Sequence, residues 1–217
     1  MIVNWNAIDT VLLDIDGTLL DLHFDNHFWL EHVPQRYAEI HRVSVAEARA
    51  ELAKRYDDVA GTIEWYCVDY WSRELGLDIA LLKEEVAHLI AVHPDVVEFL
   101  DALRRAGKRT VLVTNAHQKS LALKMKKTRL HGHFDKVICA HDLGLPKENP
   151  AFWDQLQQVE PFAPERTLLI DDSLPVLRSA QSYGIAHLLA VFQPDTRMPE
   201  KDVGEFKAVT RFGQILP

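Results

Sequence analysis

Asp14 and Asp16 close a short apolar run, TVLLDI, and Gly17-Thr18 follows at once. Carboxylates two residues apart repel each other, and strand interiors disfavour aspartate, so the pair needs a compensating role. Other polar groups stand in comparable places: Thr114 and Asn115 at the end of RTVLVT, Lys147 in a later loop, Asp171 and Asp172 at the end of TLLID. Four carboxylates gathered at one spot are electrostatically untenable unless a cation sits among them. All-oxygen donors favour a hard ion, and Mg²⁺ is the usual partner where a phosphate also binds. The chemistry expected is therefore phosphoryl transfer. Asp14, fixed at a strand end, is the candidate nucleophile toward phosphorus, forming an aspartyl-phosphate. Asp16, on the same side in the turn, is the candidate acid toward a leaving oxygen and then the base toward water. Gly17 permits a tight turn and close approach of a phosphate, and Thr18 offers a hydroxyl or a cap. Thr114 and Asn115 supply neutral donors for phosphate oxygens, and Lys147 supplies charge for the transition state. Asp171 and Asp172 complete the metal shell with Asp14 and Asp16. Singly, each has an ordinary explanation as a turn, a surface lysine or a helix start. In this order, each after a predicted strand, they point together to one site.

The elements that must position these groups are legible as periodic runs. Short apolar stretches predict strands over Thr10–Ile15, Arg109–Thr114, Asp135–Ala140 and Thr167–Asp171, with an outer one over His187–Phe192. Helical patterns lie between them: Pro94–Ala106 closed by Gly107, Ser120–Arg129, Asn149–Val159 with Asn149 as cap, and Leu174–Tyr183 after Ser173. Strands alternating with such helices predict an α/β fold with a Rossmann-like parallel sheet, whose ligands bind beyond the carboxyl ends of the strands. Residues 21–91 differ, with several helical stretches and no strand candidate. Ser44-Val-Ala-Glu47 is a capping box, and Thr62–Leu75 reads as one helix, apolar nearly all round and so covered on more than one side. The expected organisation is a core of residues 1–20 and 92–217 with an all-helical cap, 21–91, inserted.

The 217 residues are 47% hydrophobic and 26% charged, enough for a real core. A net charge of -8 argues against non-specific nucleic-acid binding, which needs a basic face. No apolar run approaches a membrane span and no basic-then-apolar leader opens the chain, so a cytoplasmic protein is expected. Cys67 and Cys139, far apart in apolar surroundings, are expected to be buried free thiols.

At these motifs the chain resembles the haloacid dehalogenase-like phosphohydrolases. Asp14-Ile-Asp-Gly-Thr18 resembles the family's first motif, Thr114 its second, Lys147 in GLPKENPAFW its third, and Asp171-Asp172-Ser173 its fourth. The resemblance implies Asp14 as nucleophile and Asp16 as acid/base. It also implies Mg²⁺ held by the Asp14 side chain, the Asp16 backbone carbonyl and the last acidic pair, Asp172 foremost. The inserted helices match the place of the family's helical cap. The stretches LLDLHFDNHFW, WYCVDYW, TNAH and IDDS are further similar to its bacterial GMP/IMP-specific 5′-nucleotidase branch. That likeness implies a purine nucleoside monophosphate as substrate. Among the aromatic residues that could stack on a purine are Phe24, Phe28, Trp29, Trp65, Tyr66, Tyr70 and Trp71, while His23, Asn26 and Asp69 could read a base edge. His117 either touches phosphate or ribose or is an exposed loop residue. The alternatives are a phosphatase of sugar phosphates or other small phosphometabolites, a phosphomutase of the same fold, and a non-catalytic phosphate-binding module.

Overall fold

The computed structural model describes residues 2–217. The chain enters at β1 (Thr10–Leu13) and then leaves the sheet for five helices: α1 (His23–His27), α2 (Val33–His41), α3 (Val45–Val59), α4 (Val68–Leu75) and α5 (Ile79–Glu85). It returns through α6 (Val96–Arg105), β2 (Arg109–Thr114), α7 (Gln118–Thr128), β3 (Lys136–Cys139) and the short α8 (Ala140–Leu143). It ends with α9 (Ala151–Val159), β4 (Thr167–Asp171), α10 (Leu174–Tyr183), β5 (His187–Val191) and β6 (Lys207–Val209). The six strands form one parallel sheet in the order β3-β2-β1-β4-β5-β6. β1 therefore sits at the centre, between the strands that carry Thr114 and Asp171, at the point where the order reverses. In such sheets the crevice beyond the strand ends at that point is where ligands bind.

Side-chain alternation builds a core on each face. Val11, Leu13, Leu112 and Ile170 face α6 and its Phe99, Leu100 and Leu103. Leu12, Val111, Val113 and Leu169 face α9 and α10 through Phe152, Trp153, Leu156 and Leu177. Covered on both sides, β1 and β4 are buried at every residue, which is why they read as continuous apolar runs. The helices of 21–91 have a third core of their own, with Phe24, Phe28, Leu52 and Trp71 at its centre. α1 runs into α2 through a π-helical turn over Phe28–His32, where the Val33 N–H reaches back to the Phe28 carbonyl. Pro34 follows at once; it lacks an N–H and its ring crowds the preceding turn, and the wider π turn accommodates both.

The predicted capping box at α3 is present: Ser44 Oγ accepts from the Glu47 N–H at 3.2 Å, and Glu47 Oε2 from the Ser44 N–H at 2.8 Å. Gly107 closes α6 with φ +66°. Two expectations about the elements are corrected. Thr62–Leu75 is not one helix but a 3-10 turn over Ile63–Tyr66, an extended residue at Cys67 (φ -84°, ψ 111°), then α4. Ser173 stands at the cap of α10 without a side-chain cap bond; its N–H donates instead to Asp171 Oδ1 at 2.9 Å. The chain beyond Gln193 adds β6, a three-residue edge strand with no apolar run to announce it, anchored on either side by buried Phe206 and Phe212. Both cysteines are free, Cys139 buried and Cys67 only half-buried. Among the described residues no helix is long and apolar enough to cross a membrane.

Candidate active site

The carboxyl ends of β1, β2 and β4 bring Asp14, Thr114, Asp171 and Asp172, with Lys147 from the loop before α9, around one cavity of about 200 Å³. Lys147 is 1% exposed, and its Nζ donates to Asp14 Oδ1 at 2.5 Å, Asp171 Oδ2 at 2.7 Å and the Val113 carbonyl at 3.1 Å. Burial works against its charge, but Asp14 and Asp171 outweigh that and hold the ammonium more basic than usual. Asp14, Asp171 and Asp172 each present an oxygen, all three within 4.8 Å of one another. Burial, with a contribution from Asp171, pushes Asp14 up to about 6 despite Lys147. Burial, with Asp14, pushes Asp172 to about 6 despite Lys201, whose Nζ lies 3.3 Å away. Three crowded carboxylates that resist ionisation, all oxygen donors, fit a hard divalent cation as the missing charge.

Gly17 is explained by a different neighbour than expected. Its φ is +78°, and a Cβ there would come within 2.8 Å of Asp172 Cγ and 3.0 Å of Pro194 Cβ. The close approach it permits is that of Asp172. Thr18 is fully buried with no hydrogen-bond partner for its hydroxyl, so it does not face the cavity as a donor. Asn115 is engaged at both ends: its Oδ1 accepts from the Lys147 N–H at 2.9 Å and its Nδ2 donates to Glu148 Oε2 at 2.8 Å. It holds the lysine loop through its carbonyl and one amide N–H, and it lines the cavity. Thr114 Oγ1 accepts from the Ala116 N–H at 2.9 Å and does line the cavity.

The Asp16 carboxylate lines the same cavity outside the acidic trio and is held by Lys124 Nζ at 2.6 Å. Lys124 also bonds Asp25 at 2.7 Å, and Lys83 bonds the same Asp25 at 2.9 Å. Both lysines are buried, and Lys83 lies 4.3 Å from the Phe28 ring centroid. Neither lysine stands out in the sequence: Lys124 shares α7 with the exposed Lys119, Lys126 and Lys127, and Lys83 is followed at once by Glu84 and Glu85.

A second cavity, of about 260 Å³, meets the first at Asp16, Leu22 and Tyr66. Trp29, Tyr56, Trp65 and Tyr66 line it, and of these Tyr56 had not been singled out. Phe24, Phe28 and Trp71 instead fill the helical segment's own core. Asn26 lines the cavity, although its Nδ2 is committed to Asp195 Oδ2 at 2.8 Å. His23 stands beside Asp195, 3.7 Å away, outside the lining of both cavities. Asp69 is exposed, paired with Lys119 on the surface, and does not reach the cavity. His117 is not an exposed loop residue: it is 8% exposed and lines the cavity at the start of α7.

The family model for haloacid dehalogenase-like hydrolases matches residues 8–184, from before β1 to the end of α10. The chain belongs to the haloacid dehalogenase-like hydrolases. It is 40% identical over 215 residues to the GMP/IMP nucleotidase YrfG of Escherichia coli (strain K12), covering 99% of this chain and 97% of that protein. It is 26% identical over 182 residues to phosphoglycolate phosphatase 1 of Pseudomonas aeruginosa, covering 81% and 66%. The fold is shared with a crystal structure of a HAD phosphatase from Thermococcus onnurineus at a TM-score of 0.80 and 23% identity, over 95% of each chain. As a member of the haloacid dehalogenase-like family the protein is an enzyme, a phosphatase acting on small phosphate esters.

Proposed function

We propose that this phosphatase is a magnesium-dependent 5′-nucleotidase that hydrolyses purine nucleoside monophosphates, GMP and IMP, through an aspartyl-phosphate on Asp14. The observation that carries the reading is the joining of two unlike cavities at Asp16, Leu22 and Tyr66. One is lined by carboxylates and a buried lysine, and the other is walled by Trp29, Tyr56, Trp65 and Tyr66. The first suits a phosphate and the second a flat, polarisable base, for which stacking on aromatic rings contributes about 1–3 kcal/mol. The 40% identity to the E. coli GMP/IMP nucleotidase supports the same substrate class. Residues 21–91, with their own core, act in this reading as a cap that supplies the base chamber.

Asp14, Asp171 and Asp172 would hold the ion, with the Asp16 backbone carbonyl as the further donor the family resemblance implies. When bound, Mg²⁺ offsets charge on the phosphoryl oxygens and between the carboxylates. Lys147 holds Asp14 Oδ1, leaving Oδ2 as the attacking atom. Attack forms the Asp14 O–P bond and breaks the P–O5′ bond, and Asp16 gives its proton to the departing O5′. The nucleoside leaves, Asp16 takes a proton from water, and the resulting hydroxide attacks phosphorus. Phosphate departs and the Asp14 carboxylate is restored. Lys147 stabilises the charge that builds on the equatorial oxygens in both steps.

Phosphate release with Mg²⁺ from GMP, IMP, AMP, pyrimidine monophosphates, ribose 5-phosphate and phosphoglycolate tests the reading. Preference for GMP and IMP, abolished in Asp14→Asn, is expected. Preference for phosphoglycolate or a sugar phosphate would leave the chemistry standing and overturn the substrate.

A further inference from the structure

Tyr66 reaches from the helical segment into the core. It sits in the 3-10 turn just before the Cys67 break and lines both cavities. Its hydroxyl donates to Glu148 Oε1, across 82 residues of sequence. The other Glu148 oxygen accepts from Asn115 Nδ2 at 2.8 Å, and Asn115 Oδ1 accepts from the Lys147 N–H at 2.9 Å. Lys147 then places its Nζ between Asp14 and Asp171. Burial, reinforced by the Glu148 charge, keeps the phenol protonated, so it remains a donor.

We propose that Tyr66 is a positioning residue: through Glu148 and Asn115 its hydroxyl fixes the loop that carries Lys147, so that the seating of the helical segment sets the alignment of the catalytic lysine. The Asn115 amide and the Val113 carbonyl tie the loop to the end of β2, but without the phenol Glu148 would be free to swing away from Asn115. The phenol closes the second side of that carboxylate, leaving it one orientation. A lysine engaged with two carboxylates over 2.5–2.7 Å has little tolerance for a displaced loop. The inference needs the phosphatase chemistry and does not depend on which phosphate ester is the substrate.

Tyr66→Phe removes the hydroxyl and keeps the ring that walls both cavities. Steady-state rates are measured on IMP and on ribose 5-phosphate, which has no base, for Tyr66→Phe, Glu148→Ala and the double variant. Hydrogen bonds to a charged group carry about 1.5–3 kcal/mol, so kcat should fall roughly tenfold or more, equally on both esters. KM should move by less than about twofold, since ground-state binding is untouched. The double variant should be no slower than Glu148→Ala, because the hydroxyl acts only through that carboxylate. A rise in KM confined to IMP would make the hydroxyl a contact to the nucleoside and overturn the proposal. Unchanged rates, or additive losses in the double variant, would overturn it as well. If IMP is not turned over but another ester is, the nucleotide reading fails and the same comparison on that ester still decides the role of Tyr66.

Discussion

Asp172 occupies the space where a side chain on Gly17 would point, so one residue of the first motif exists to let the last motif close on Asp14. Gly17→Ala therefore meets both an unfavourable φ of +78° and a contact of 2.8 Å. It should destabilise by more than about 1 kcal/mol and cut phosphate release sharply, by displacing the Asp172 carboxylate. Chemical denaturation and a rate measurement on the same sample check this; wild-type stability and rate would contradict it. At this scale the sequence reading was strong for residues whose neighbours are punctuation. Aspartates, Gly17 and Thr114 stand at strand ends that apolar runs announce. It was weak for side chains whose partners come from distant elements. Asn115 stands at a strand end and lines the cavity, but nothing local shows that its amide also bridges Glu148 and the Lys147 N–H. Lys124 read as one more lysine of a charged helix, yet it is 1% exposed and holds Asp16.

Between elements, the Lys83–Asp25–Lys124–Asp16 group joins α1 and α5 of the helical segment to α7 of the core and to the end of β1. Burying two ammonium groups is costly unless their pairing is complete, and removing one partner of such a group typically costs about 3–5 kcal/mol. Burial pushes Asp25 upward, but Lys124 and Lys83 outweigh it and hold it at about 2. Its folded value lies below its ordinary 3.8, so its stabilisation is present above about pH 4 and is lost as pH falls toward 2. Asp25→Asn should lower stability at neutral pH and flatten the loss between pH 4 and pH 2, read from denaturation midpoints across that range. An unchanged acid slope would show that Asp25 is not the group responsible. The elements themselves were largely visible in advance, and where they were not, the reasons are local. A break at Cys67 cannot be seen in IEWYCVDYW, which has no glycine or proline and only Glu64 and Asp69 among its apolar and aromatic residues, and three residues of β6 are too few for a period to register.

At the scale of the whole molecule, the proposed binding of a metal at the acidic trio would couple to folding. An ion held at Asp14, Asp171 and Asp172 binds only the folded chain. At a hundred times its Kd it adds about 2.7 kcal/mol of stability. Mg²⁺ should therefore raise the thermal midpoint of the wild type and have little effect on Asp172→Asn, and chelation should stop phosphate release reversibly. A midpoint indifferent to Mg²⁺ would count against the trio as the metal site. The joining of the two cavities was the feature least legible in the sequence, since it needs the helical segment folded over the strand ends. Tyr56, Trp65 and Tyr66 lie far from Asp14 along the chain, and only their convergence defines a chamber. That chamber is the centre of the functional account. The measurement that tests it most directly is the ratio of kcat/KM for IMP to that for ribose 5-phosphate, in the wild type and in Trp65→Ala. Losing one base-stacking partner should reduce the ratio by roughly tenfold or more while the rate on ribose 5-phosphate holds. A wild type that does not favour IMP, or a preference untouched by Trp65→Ala, would contradict the account.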